Sequence, residues 1–264
     1  MSARIKKIFS DNKNKLVTFV TGGDPNKLTS EKIIKKIIES GADIIEIGMP
    51  FSDPMADGPT IQLSSKRAIK NNTNLDSIFE ITQNIRNFNN TTPIILMGYY
   101  NLILHYGIKN FIKKCSLTGI DGLIIVDLQP EEDTELYNAT LHHDVDLIRL
   151  ITPNTTKKRL ELITKSASGF LYYVTITGIT GQQSADMKEL NNSIKNIRAC
   201  SKLPIVAGFG INNKKQVSDI CKITDGAVVG SSIIKIIENN LHNERNMLNQ
   251  IGDFINDLKL GTIK

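Results

Sequence analysis

The chain has 264 residues, 40% of them hydrophobic and 22% charged, and its 32 Lys and Arg against 27 Asp and Glu leave a net charge of +5. That is an ordinary globular balance, and no apolar run approaches the roughly 18 residues a helix needs to span a bilayer, so no membrane segment is expected. The lysines are scattered, as at Lys32, Lys35 and Lys36 or at Lys157 and Lys158; they lie beside helical glutamates without interleaved aromatics, which reads as solvated helix faces rather than a nucleic-acid surface.

At about 150 residues per domain the length allows one or two domains, but α/β barrels of this size are single domains, so one domain over residues 1–264 is expected. Residues 1–15 are rich in Lys and Asn and lack an apolar core, so no secretory signal is expected. Cys115, Cys200 and Cys221 are odd in number and far apart. They suit a reducing compartment and read as small buried apolar groups, so a cytoplasmic protein is expected.

In chain order, short β-branched runs occupy residues 16–21, 43–47, 93–99, 123–127, 147–151, 170–175, 204–209 and 227–230. Their near-continuous apolarity fits strands buried on both faces, as in parallel sheets. Helix-like stretches lie between them. Residues 30–40 carry Ile33, Ile34, Ile37 and Ile38 at helical spacing and stop at Gly41. Residues 75–88, 108–117, 131–142, 157–166, 187–200 and 214–221 repeat the role, and 241–258 close the chain. Eight strand–helix units without a linker predict an α/β fold, a single (β/α)8 TIM barrel. Its first and last helical pieces are expected to cap the ends. A doubly wound open sheet is the runner-up, but no dinucleotide glycine fingerprint follows the first run.

Glu46 stands inside the second run, on one strand face with Ile44 and Gly48. A carboxylate among isoleucines is costly unless it is used or is paired with a buried Arg. Asp53 and Asp57 follow in a loop where Asp-Pro and Asp-Gly would by themselves signal only turns. Barrel active sites lie at the C-terminal strand ends, and that rule gathers Glu46, Asp57, Tyr99, Asp127, Tyr172 and Tyr173 at one mouth. Three glycine loops follow the late strands: Thr177-Gly178-Ile179-Thr180-Gly181, Ala207-Gly208-Phe209-Gly210 and Val229-Gly230-Ser231-Ser232. The last runs into a short apolar helix at 233–238, whose N-terminus is suited to phosphate.

Absences discriminate too. None of the eight runs contains the strand Lys of a Schiff-base aldolase. His105, expected in a loop, His142 and His143, on a helix, and His242, in the last helix, form no zinc set, so no metal is expected. What remains is carboxylate acid–base chemistry on a phosphorylated substrate. Arg149, in the fifth run, could point outward against helices or inward toward a carboxylate, and the sequence leaves both open.

The run Glu46-Ile-Gly-Met-Pro-Phe-Ser-Asp-Pro-Met-Ala-Asp-Gly-Pro-Thr-Ile-Gln62 closely resembles the signature of the tryptophan synthase alpha-subunit family. Further pieces match in the family's order over nearly the whole chain: Phe19-Val-Thr-Gly-Gly-Asp-Pro25, Leu96-Met-Gly-Tyr-Tyr-Asn101, Tyr172 to Gly181, Gly208-Phe-Gly210 and Gly230-Ser231. The resemblance implies a lyase that cleaves indole-3-glycerol phosphate to indole and glyceraldehyde 3-phosphate, without a cofactor in this subunit. It implies an acid–base role for Glu46, a hydrogen bond from the indole N–H to Asp57, and a supporting role for Tyr172. It assigns phosphate to Gly181, Gly210, Gly230 and Ser231, the indole pocket to Phe19, Met97, Tyr99, Ile124 and Val126, and lid closure to Thr180 within 177–186. It also implies an α2β2 heterotetramer with a pyridoxal phosphate-dependent beta subunit that activates this chain. Three positions depart from the family: Gln129 where Pro is usual, Gln182-Gln183 where a small residue and Arg are common, and Gly98 where a larger neighbour of the pocket is common. Another phosphate-binding barrel isomerase, or a catalytically weak allosteric subunit, are the competing readings. The first would place carboxylates or Cys on strands that lack them here, and the second would lose Glu46 or Asp57.

Overall fold

The computed structural model describes residues 1–174, 183–208 and 210–263. Among them nine strands form one parallel sheet: β1 (Lys15–Thr21), β2 (Ile44–Gly48), β3 (Ile94–Gly98), β4 (Gly122–Ile125), β5 (Asp146–Leu147), β6 (Arg149–Ile151), β7 (Leu171–Val174), β8 (Ile205–Gly208) and β9 (Gly226–Val229). Their order is β5-β4-β3-β2-β1-β9-β8-β7-β6. β5 and β6 are the two halves of one stave, parted at Ile148. The first half pairs with β4 through Leu123 and Leu147, and the second pairs with β7 through Arg149 and Leu171. Staves in a barrel are tilted and staggered, so one stave meets its two neighbours at different heights. The expected eight-staved barrel therefore closes, with its fifth stave divided into two short strands.

The two-residue alternation of a strand builds the interior in layers. The lower layer takes one residue from each stave: Val17, Ile44, Ile95, Ile124, Ile148, Phe170, Val206 and Val228 form a single buried cluster with Ile5. Two residues further along each stave lies the upper layer: Phe19, Glu46, Met97, Val126, Leu150, Tyr172, Gly208 and Gly230. The opposite parity, Leu16, Val20, Ile45, Ile47, Leu96, Leu123, Ile205, Ala207, Ala227 and Val229, packs against the surrounding helices.

The N-terminal helix Ala3–Ile8 plugs the lower end, with Ile5 in the lower layer and the Phe9 ring 5.7 Å from that of Phe170. Polar bonds fix it there. Ser2 donates through its N–H to Asp146 at 2.7 Å and through its hydroxyl to Asp121 at 2.6 Å, and Asp121 also accepts from Arg86 at 2.6 Å. The last helix, Glu244–Leu260, does not cap an end as expected. It lies in the outer ring against Lys27–Glu39, where Glu244 accepts from Thr29 at 2.8 Å and from Lys32 at 2.6 Å. Its apolar stripe, Met247, Ile251, Ile255 and Leu258, needs a helix neighbour rather than an open barrel end.

Two helices had no counterpart in the periodicity. Pro59–Lys70 buries Ser64, Ser65 and Ala68, so it shows no hydrophobic stripe. Tyr100–Tyr106 is short and places His105 on a helix rather than in a loop. His242 in turn precedes the last helix instead of lying in it. Lys15, outside the predicted first run, opens β1 at the lower end and pairs with Asp11, at the opposite end from the strand tips. No helix among the described residues is long and apolar enough to cross a membrane.

Candidate active site

The upper layer and the loops above it form the site. Glu46 pairs in register with Phe19 of β1 and Ile95 of β3 and is 0% exposed. Neither carboxyl oxygen meets a hydrogen-bond partner among the described residues. Burial raises its pKa from 4.5 to about 8. The alternative of a structural Glu paired with a buried Arg is thereby removed, because the one Arg on a stave among the described residues faces elsewhere. Arg149 lies between the inward Ile148 and Leu150 and so points out of the barrel, where it bonds Asp133 at the head of helix Thr134–Leu141. Burial lowers its pKa to about 10.

Three glycines make room for the side chains around Glu46. A Cβ at Gly48 would lie 2.6 Å from the Phe19 ring, one at Gly208 would lie 2.7 Å from the Tyr172 hydroxyl, and one at Gly230 would lie 3.1 Å from Cβ of Phe19. Tyr172 is neighbour to Glu46, and both its burial and the Glu46 carboxylate push its phenol pKa well up, so it stays a neutral hydrogen-bond donor. Sequence reasoning gave Gly48 and Gly208 no such role. Their signal is the two-residue step that puts them on the inward face.

Asp57 hangs over this layer from the loop after β2. Its carboxyl is half-buried, and burial raises its pKa while the neighbouring Tyr99 hydroxyl draws it back. The Tyr99 hydroxyl also accepts the Ala56 N–H at 3.0 Å. Asp53, by contrast, is exposed and bonded to its neighbour Ser52. The loop continues into helix Pro59–Lys70, which is bolted to the end of β1. Thr21 and Ser64 share a hydrogen bond of 2.5 Å, and Arg67 makes two bonds of 2.7 and 2.8 Å to the buried Asp24.

Of the residues expected in the indole pocket, Phe19, Met97 and Val126 lie in the upper layer and Tyr99 above it. Ile124 lies one layer lower, fully buried beneath them. Leu150, which sequence reasoning missed, completes the upper layer, two residues beyond Ile148 on the same face. Asp127 accepts the Tyr100 N–H at 2.8 Å and so serves the start of helix Tyr100–Tyr106. Tyr173 faces outward into the helix layer. The departure at Gly98 has a local cause, since a Cβ there would meet Met49 at 2.7 Å. Gln129 accepts from Arg159, which also pairs with Glu131.

One stave beyond β1 from the Asp57 loop, Gly230 is the N-cap of helix Ser231–Asn239 and has no side chain to cap it. Gly210, at φ +62°, has nothing within 4 Å of where a Cβ would stand. An uncapped helix N-terminus beside glycines in the upper layer is a cradle for an anion. Gly181, Thr180 and Gln182 lie outside the described residues, as does Phe209.

One half of the mouth thus offers an unsolvated, protonated carboxyl over an apolar floor with a second carboxylate above. The other half offers backbone N–H groups. The arrangement suits a flat aromatic group joined through a short polar chain to a phosphate.

A family model described as tryptophan synthase alpha chain matches residues 5–262. A tryptophan synthase alpha chain of Geobacter sp. strain M21 is 44% identical over 249 residues, which cover 94% of this chain and 92% of that one. The crystal structure of tryptophan synthase subunit alpha from Legionella pneumophila superposes with a TM-score of 0.91 at 32% identity, covering 99% of this chain and 98% of that one. A chain of tryptophan synthase from M. tuberculosis, in an aminoacrylate-bound form, gives a TM-score of 0.88 at 26% identity, with coverage of 99% and 100%.

Proposed function

Because the chain belongs to the tryptophan synthase alpha chain family, we propose that Glu46 and Asp57 carry the reaction of that family in the site just described. The enzyme is a lyase of tryptophan biosynthesis that cleaves indole-3-glycerol phosphate to indole and glyceraldehyde 3-phosphate. The single observation that carries the residue assignment is the Glu46 carboxyl, fully buried on the inward face without a hydrogen-bond partner among the described residues.

Its pKa of about 8 means that Glu46 enters the reaction protonated at neutral pH. It gives that proton to C3 of the indole ring. The ring nitrogen then carries positive charge, which the Asp57 carboxylate stabilises at the N–H. The glyceryl hydroxyl next to the ring loses its proton to the Glu46 carboxylate. The carbon–carbon bond breaks, its electron pair returns to the ring and neutralises the nitrogen, and an aldehyde forms. Glu46 ends as it began, so one residue serves as acid and then as base. Tyr172, held neutral beside Glu46, orients the reacting hydroxyl. Phe19, Met97, Val126 and Leu150 form the floor of the indole pocket, while Gly210, Gly230 and Ser231, together with Gly181, hold the phosphate. This chemistry needs no cofactor in this chain. The partner is a pyridoxal phosphate-dependent beta subunit in an α2β2 assembly, which receives the indole and closes the loops 49–58 and 177–186 over the mouth.

The test is formation of indole from indole-3-glycerol phosphate. Glu46→Gln keeps the volume and removes the titrating group, and it should lower the rate by at least ~100-fold, the lower range for general acid–base groups. Asp57→Asn should also cut the rate heavily. For wild type, kcat/KM should rise with ionisation of Asp57 and fall as pH passes about 8, where Glu46 loses its proton. Wild-type turnover in Glu46→Gln would refute the assignment.

A further inference from the structure

We propose that Tyr99 is the positioning residue of Asp57, its phenol tying the loop after β2 to the end of β3 and fixing where the carboxylate meets the substrate. The proposal rests on Asp57 acting at the indole nitrogen, as read above.

Tyr99 is only 3% exposed although it stands at the rim of the barrel. A phenol can accept one hydrogen bond and donate another. Here the hydroxyl accepts the Ala56 N–H at 3.0 Å, the backbone donor next to Asp57. The ring also stacks on Phe51, with centroids 5.1 Å apart and planes at 30°. One side chain thereby grips the loop at residues 51 and 56, and residue 56 carries Asp57 directly after it. The loop's own bonds, Met55 N–H to Asp53 and Asp57 N–H to Pro54, shape its turns without relating them to the barrel. Gln62 holds the Asp57 carbonyl from the helix side at 2.8 Å but does not reach the carboxylate.

Tyr99 is in turn anchored. It is the N-cap of helix Tyr100–Tyr106, and the Tyr100 N–H is held by Asp127 beyond β4 at 2.8 Å. The tips of β2, β3 and β4 are thus joined through hydrogen bonds and one stacked ring. The tyrosine hydroxyl has a second effect, because it opposes the rise in pKa that burial imposes on Asp57 and so keeps that group ionised to lower pH.

Tyr99→Phe keeps the ring and the stack and removes only the hydroxyl. It should lower kcat by about tenfold or more with KM changed by less than about threefold, since a misplaced group loses transition-state binding rather than ground-state binding. The acid limb of its kcat profile should move to higher pH. In an Asp57→Asn background the same substitution should have little further effect. An unchanged kcat and acid limb in Tyr99→Phe, or an equal fold-loss in both backgrounds, would overturn the proposal. Phe51→Leu keeps the hydroxyl but loosens the ring, and should shift kcat and the acid limb in the same direction by less. Should Tyr99→Phe fail to fold, wild-type behaviour of Phe51→Leu overturns the proposal instead. A wild-type chain that makes no indole refutes the lyase reading of the site, a result distinct from all of these.

Discussion

Glu46 illustrates how a single residue can cost stability in order to hold a proton. Its carboxyl titrates near 4.5 when solvated and near 8 in the fold, with burial as the cause. Between those values the folded state binds a proton that the unfolded chain has released, so stability falls as pH rises across that window and levels off above it. Glu46→Gln cannot ionise. It should therefore match wild type closely below about pH 4.5 and exceed it above about pH 8, by roughly 3–5 kcal/mol at ~1.4 kcal/mol per unit of pKa difference. Urea denaturation of both proteins at about pH 5 and about pH 9 measures this directly, and a constant difference between them would mean that the carboxyl is solvated or paired in solution. The residue itself was legible in the sequence, since a Glu between isoleucines at strand spacing is too costly to bury without a use. The depth of Asp57 was not legible, because the hydroxyl and ring that enclose its loop come from Tyr99, over forty positions away.

The elements divide the same way. Strands buried on both faces announce themselves as apolar runs, and their two-residue step carries Val17 to Phe19, Ile44 to Glu46 and Val228 to Gly230, so the upper layer follows once the lower one is known. Helix Pro59–Lys70 stayed hidden because its buried face is Ser64, Ser65 and Ala68, held by the Thr21–Ser64 bond and the Asp24–Arg67 pair instead of by apolar area. The bottom of the barrel was also obscure, since the polar bonds of Ser2 to Asp121 and Asp146 join residues more than a hundred positions apart. The glycines proposed to hold the phosphate stood out in the sequence because their role there depends on an absence of side chains. Gly230→Asp should abolish binding of glycerol 3-phosphate in calorimetry, as its charge opposes the anion and its Cβ presses on Phe19 at 3.1 Å. Gly230→Ala introduces the contact without the charge and should retain part of the affinity. Undiminished binding by the Asp variant would put the phosphate elsewhere.

At the scale of the molecule the two ends of the barrel have separate tasks. The lower end is sealed by the N-terminal helix and the buried Asp121 and Asp146 that hold it, whereas the upper end leaves apolar surface open beside the Asp57 loop. Met55 is 85% exposed, two residues before Asp57, and Leu63 and Ile69 are also exposed on the helix that follows. Beside Met55, Leu63 and Ile69 join Phe51, Pro54 and Pro59 in lining a cavity of about 600 Å³. A loop that carries the carboxylate proposed to act on the substrate and presents its apolar side chains to water gains by being covered: burial of Met55 alone contributes roughly 1.5–3 kcal/mol. Covering would also restrict a carboxylate for which a displacement of about 1 Å can cost ~100-fold in rate. The isolated chain should accordingly release indole slowly, and a cognate beta subunit should raise kcat while protecting the loop from protease. Met55→Asp should weaken that activation and leave the rate of the isolated chain nearly unchanged, because the side chain stands in solvent and not on the pocket floor. If the partner alters neither turnover nor protection, the loop is complete by itself, and the coupling fails while the lyase chemistry of Glu46 stands.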